Sequence, residues 1–131
     1  MADRERNTAL AREGVAAFNR GDAEAVAALL HPEVETHISP AMVNPGTWHG
    51  HDGFREGIGA WADAWDDLHF EVLDTEAVDD RHVLVHVHQS AVGPESGVPV
   101  EMDAVLLFEI DEGLARRFHV HADRESAQAA I

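Results

Sequence analysis

The chain has 131 residues and a formal net charge of -16, and it contains no cysteine, no tyrosine and no lysine, so all nine basic residues are arginine. Thiolate nucleophiles, Schiff-base amines and phenolic donors are thereby excluded, which leaves ten histidines, the carboxylates and a few hydroxyls for any proton transfer. Such acidity repels nucleic-acid backbones and anionic membranes, and the arginines are scattered, with only Arg116 and Arg117 adjacent, so no nucleic-acid partner is expected.

From the N-terminus, Met1 to Arg6 lack the apolar stretch of a secretory leader, and no later run approaches the ~20 apolar residues of a membrane span; no membrane association and a cytoplasmic location are expected. Leu10, Gly14, Ala17 and Phe18 follow helical spacing, with Gly21 as the stop. Asp22 can cap a second helix bearing Val26, Leu29 and Leu30, which His31-Pro32 ends because proline disfavours helical geometry in the residue before it. Val34 to Ile38 alternates as a short strand. Ser39 to Gly50, with two prolines and two glycines, is expected to be an irregular loop. Within it Trp48 serves either as a lid over a pocket mouth or as a pin for the loop. Asp52 can cap a third helix whose Phe54, Ile58, Trp61 and Trp65 form one apolar stripe. After Asp66-Asp67 the period changes from helical to two. Four strands follow from Leu68, divided by turn signals at 79–81, 93–97 and 111–113, and the Ala-rich tail after Asp123 is either a frayed helical turn or disordered. Three helices followed by a long meander predict one α+β domain over residues 1–131, with the helices packed on one face of a strongly curved antiparallel sheet.

Phe18-Asn19-Arg20-Gly21-Asp22-Ala23-Glu24-Ala25-Val26 through His31-Pro32-Glu33-Val34-Glu35, then Trp48-His49-Gly50-His51-Asp52-Gly53-Phe54, Ser96-Gly97-Val98-Pro99-Val100 and Asp123-Arg124-Glu125, resemble the nuclear transport factor 2-like superfamily, in its SnoaL-like and ketosteroid-isomerase-like branches. The resemblance implies a cone-shaped α+β barrel enclosing one pocket, commonly in a homodimer, and the superfamily includes isomerases, cyclases, dehydratases, hydrolases and non-catalytic binders. Ketosteroid isomerases carry a tyrosine donor where this chain has Gly14. Their aspartate base falls where it has His37, Ile38 and Ser39. Their second donor aligns with Val105, with Asp103 two residues earlier on the same face.

A two-residue turn at Asp111-Glu112 would set Val105 opposite Phe118 and Asp103 opposite Val120. Glu101, Asp103, Val105, Leu107, Phe118 and Val120 would then share a face, which the resemblance places in the pocket. Met102, Ala104, Leu106, Phe108, His119 and His121 would share the convex face, too apolar to stay open to water and therefore offered to a homodimer. The 93–97 turn admits two registers. With Val92 opposite Val98, His86 and His88 join the convex face; with Val92 opposite Pro99, they enter the pocket beside Val105 and Asp103. His86-Val87-His88 and His119-Val120-His121 each place two imidazoles about 7 Å apart at Cα, a spacing open to a metal, yet histidines partly buried at a dimer interface with hydrogen-bonded nitrogens account for it better, and no metal or cofactor is expected. Trp48, Trp61, Trp65, His37, Glu101, Val105, Phe118 and Val120 are the candidate ligand-binding residues, although Trp61 and Trp65 at helical spacing also suit a core and His37 points outward if Val34, Thr36 and Ile38 face in.

Two functions are open. One is a cofactor-free acid-base enzyme, an isomerase, cyclase, dehydratase or hydrolase, acting on a small apolar organic molecule. In it Asp103, its pKa raised by apolar walls, is the central group, with His86 or His88 as proton partner. The other is a ligand-binding or dimeric interaction module without turnover.

Overall fold

The computed structural model describes residues 2–42, 45–63 and 65–131, and the side chains of Ala2 and Trp61 also lie outside the described residues. Helix α1 (Ala2–Asn19) ends before Gly21, whose φ of 71° is in the left-handed region that reverses the chain. Asp22 accepts a hydrogen bond from the Ala25 amide at 3.1 Å and caps α2 (Ala23–Ala28), as its side-chain chemistry predicts. Strand β1 (Leu30–Ile38) starts earlier than its alternation suggested, because a register break between the Leu30–Ala115 and Glu35–Arg117 pairs gives Pro32 a place where no ladder N–H is required.

The segment expected to be wholly irregular contains strand β2 (Gly46–His49), antiparallel to β1 with Trp48 opposite Thr36. Helix α3 (Gly50–Asp63), the strands β3 (Asp66–Ala77), β4 (His82–Val92), β5 (Pro99–Asp111) and β6 (Leu114–His121), and helix α4 (Arg124–Ala129) complete the chain. The Ala-rich tail is thus ordered, capped by Asp123 through the Ser126 amide at 2.8 Å. One curved sheet of order β2-β1-β6-β5-β4-β3 results, antiparallel except for the β1–β6 pair, which is parallel. Helices α1 and α3 pack on one face and α4 on the other.

The two sheet faces are assigned by the β5–β6 hairpin, and there the structure corrects the sequence. Its turn is Glu112-Gly113, both at positive φ (54° and 79°), as in the two-residue hairpin turn that matches strand twist. Moving the turn by one residue leaves side-chain parity unchanged. What reverses it is a bulge: Ile110 pairs with Ala115 but Glu109 with Arg117, so Arg116 is an extra residue and every later pair is shifted by one face. Phe108 therefore stands opposite Phe118, Leu106 opposite Val120, and Val105 opposite His121.

Ala104, Leu106, Phe108 and Ile110 consequently join Val83, Val85, Val87 and Val120 in the core beneath the helices, with Met102 packed against it. The homodimer expected through Met102, Ala104, Leu106 and Phe108 loses its apolar surface, because those side chains face the interior. Leu84, Val105 and Leu107 are buried on the opposite face, covered by Ala127 of α4.

Trp48 is held between β2 and α3. A Cβ built on Gly57 would lie 2.7 Å from its indole, and one on Gly46 2.8 Å, so only glycine lets the ring lie flat on the helix. The Gly57→Ala variant sets a helix-propensity gain of about 1 kcal/mol against an overpacking loss of about 1–3 kcal/mol. The rigid indole has no flexible end to yield, so the loss wins. Urea denaturation should show Gly57→Ala destabilised and the defect relieved by adding Trp48→Ala; a more stable Gly57→Ala single variant would show that the indole does not rest there.

Candidate functional site: an apolar chamber and its vestibule

Between the helices and the curved sheet lies a chamber of about 60 Å³, walled by residues that include Gly14, Phe18, Leu29, Phe108, Phe118 and Val120, and among the described residues no polar side chain lines it. It shares Phe18, Val26, Leu30, Phe54, Ile58 and Leu68 with a wider vestibule of about 480 Å³ between the α1–α2 corner and α3. The vestibule carries the polar groups Asn19, Asp22, His51 and Arg55. On α3, His51, Arg55, Gly59 and Ala62 run along one side of the predicted Phe54–Ile58 stripe, at helical spacing.

Phe118 and Val120 line the chamber as expected, but Asp103, Glu101 and Val105 do not. The bulge at Arg116 turns all three to the outer face. Of the two registers for the preceding hairpin, the one with Val92 opposite Pro99 is present, and His88 does lie beside Asp103 and His86 beside Val105. That set stands outside the chamber rather than in it. His88 Nδ1 donates to Asp103 Oδ1 at 2.8 Å and its Nε2 to Glu101 Oε1 at 3.1 Å, while His86 Nε2 is 3.5 Å from Asp103 Oδ2. Only an imidazolium can donate through both nitrogens, and these two carboxylates, Asp103 first, hold the His88 pKa above its ordinary value. The Asp103 side chain is 54% exposed, and the His88 hydrogen bond lowers its pKa. The expected rise is reversed, because a carboxylate in water beside a cation is stabilised as the anion.

Val34, Thr36 and Ile38 face inward, so the candidate ligand-binding residue His37 points outward, away from chamber and vestibule, where its Nδ1 bonds Thr47 Oγ1 at 2.8 Å. There it meets His119 and His121, with ring centroids 5.0 and 6.0 Å away. Among the described residues no group of three or more histidines, cysteines, aspartates or glutamates has a geometry that could hold a metal ion. Trp48 and Trp65 pack against the core and line neither chamber nor vestibule, while the Trp61 side chain lies outside the described residues. Phe108, expected on the dimer face, and Leu29, expected only as part of the apolar side of the second helix, also line the chamber. The bulge places Phe108 opposite Phe118 on the inner face, and Leu29 reaches the chamber from the C-cap of α2, beside Gly14.

A family profile described as the SnoaL-like domain matches residues 11–118. The chain belongs to the SnoaL-like domain family. None of the curated proteins matches this SnoaL-like chain. Solved structures share its fold at low identity. TerC, co-crystallised with polyporic acid, is 20% identical at a TM-score of 0.80, covering 95% of this chain and 96% of that one. A candidate polyketide cyclase from Xanthomonas campestris pv. campestris is 20% identical at 0.79, covering 97% of each. A protein of ketosteroid isomerase-like fold from Catenulispora acidiphila, in complex with trimethylamine, is 11% identical at 0.75, covering 92% of this chain and 89% of that one. In this SnoaL-like domain Gly14 is part of the chamber wall and offers no donor.

The outer-face histidines make folding pH-dependent. Burial, then the neighbouring His119 and His37, push the His121 pKa down from 6.5 to about 4, and burial also lowers that of His119. An imidazole kept neutral by the fold charges first in the unfolded chain, so its stabilisation is complete above pH 6.5 and lost as the pH falls towards 4. His88 has the opposite sign, with stability lost as pH rises, but exposure screens it. Urea midpoints should therefore fall from pH 7 to pH 4, less steeply in His121→Gln; a midpoint that rises over that range, or an unchanged slope in the variant, would contradict the assignment.

Proposed function

We propose that this SnoaL-like domain binds a small, largely apolar organic molecule that enters through the vestibule and seats its apolar end in the inner chamber. The observation that carries this reading is the wall of the chamber, where the described residues supply no polar side chain to hold water, which favours apolar occupants. TerC was crystallised with polyporic acid and the Catenulispora protein with trimethylamine, which supports a fold that takes up small organic molecules. Asp103, His86 and His88, facing the opposite side of the sheet, have no place in it.

Gly14 offers a test, since a Cβ there meets Leu29 Cδ1 and Phe108 Cε2 at 3.8 Å, an ordinary contact, so a longer side chain grows into the chamber without forcing the backbone apart. N-phenyl-1-naphthylamine fluorescence should show saturable binding to the wild type, weakened about tenfold or more in Gly14→Leu by loss of apolar contact area, and unchanged in Asp103→Asn. Equal binding in Gly14→Leu, or loss in Asp103→Asn, would place the ligand elsewhere.

A further inference from the structure

The inner chamber cannot accept a hydroxyl without cost, because burying one with no partner loses about 1–3 kcal/mol. A ligand that carries one therefore keeps it at the vestibule, where the described polar side chains are few and most are engaged. Asn19 is used at both ends by the backbone of Phe70, donating to its carbonyl at 2.8 Å and accepting from its amide at 2.9 Å. Asp22 caps α2 and stands 3.6 Å from Arg20. Arg55 pairs with Asp52 at 2.7 Å and, as a guanidinium, can only donate.

His51 differs from all of these. Its Nε2 is 3.0 Å from the Leu30 carbonyl oxygen, which can only accept, so Nε2 carries the proton and Nδ1 is left with a lone pair. No protein partner engages Nδ1 among the described residues. The ring is half-buried in the first turn of α3, one turn before Arg55 on the same side of the helix. The Leu30 contact does for this imidazole what an orienting carboxylate does in a catalytic triad, fixing tautomer and ring plane so that one nitrogen is a base. Among the described walls of chamber and vestibule it is the only imidazole.

We propose that His51 is the acid-base residue of this site, with an apolar molecule bearing a weakly acidic hydroxyl, an enol or a phenol, as its substrate class; this rests on the chamber being the binding site. The ligand O–H bond breaks, the Nδ1–H bond forms, and the electron pair remains on the ligand oxygen. The imidazolium keeps its Nε2–H on Leu30, and Arg55 supplies positive charge one helical turn away. Reversal returns the proton to the ligand, or Nδ1 releases it to water in the vestibule. Acid-base chemistry in this fold then comes from α3 rather than from the sheet.

2-Naphthol serves as probe, because its neutral and ionised forms absorb differently. The wild type should bind it saturably and lower its apparent pKa by about one unit, a tenfold larger ionised fraction at a given pH, and the His51 Nδ1 resonance of ¹⁵N-histidine-labelled protein should move on binding. His51→Gln keeps a donor for the Leu30 carbonyl and removes the base. It should bind within about threefold of wild type but leave the naphthol pKa at its free value. If both proteins bind and shift the probe alike, His51 is not the base and the chamber reading stands. If neither binds, the chamber reading fails and this proposal with it. Should His51→Gln not fold, the wild-type Nδ1 resonance decides, and its failure to respond to bound 2-naphthol overturns the proposal.

Discussion

One extra residue in β6, Arg116, determines which chemistry meets the helices. With the Ile110–Ala115 and Glu109–Arg117 pairs on either side of it, the strand beyond presents Phe118 and Val120 inward with Leu106 and Phe108, and His119 and His121 outward with Leu107 and Val105. Without it, the carboxylates of β5 would face the helices, and the chamber would be lined by groups that are costly to desolvate. The bulge thus gives the chamber its apolar lining and leaves the carboxylates of β5 and the imidazoles of β6 on the other side of the sheet. The displaced Arg116 is itself held, with Nη1 3.2 Å from His31 Nε2.

The outer face is organised by charge. Glu35, Arg117, Glu109 and His82 lie in register across four strands, and Arg117 bonds both glutamates while His82 donates from Nε2 to Glu109 at 3.0 Å and contacts Asp79 through Nδ1. Burial pushes the Glu109 pKa up, but the bonds from His82 and Arg117 outweigh it and hold it low; the His119 bond does the same for Glu35. Half-buried carboxylates of this kind are stable only while their partners remain, so the row fixes strand alignment as much as it adds stability. Helix α4 closes over its neighbours, with Ala127 on Leu84, Val105 and Leu107, and Arg117 Nη2 donating to the Ala130 carbonyl.

Much of this was legible in the sequence. The Phe54–Ile58 spacing, the Asp22 cap, the inward set Val34, Thr36 and Ile38, and the alternation of the later strands all follow from local periodicity, and local periodicity survives folding. The motifs flanking Gly21 and Gly50 pointed to the right family. The partition of faces was not legible, because a bulge adds one residue without any composition signal at Arg116, and parity then propagates the error to Glu101, Asp103 and Val105. For the 93–97 turn both pairings were visible, and the choice between them depends on tertiary packing. The role of His51 was not legible either, since its hydrogen bond to the Leu30 carbonyl spans 21 positions of sequence.

The central claim is that the apolar, helix-covered face of the sheet is the binding surface and the histidine-rich face is not. Methyl-resolved NMR of the labelled protein with naphthalene as ligand tests it directly, because Leu106 and Val120 line the chamber while Leu84, Val105 and Leu107 lie on the other side of the same strands. Intermolecular Overhauser contacts from naphthalene to the methyls of Leu29, Leu106 and Val120, with none to Leu84, Val105 or Leu107, are the predicted result. Contacts to Val105 or Leu84 in place of Leu106 and Val120 would contradict the account.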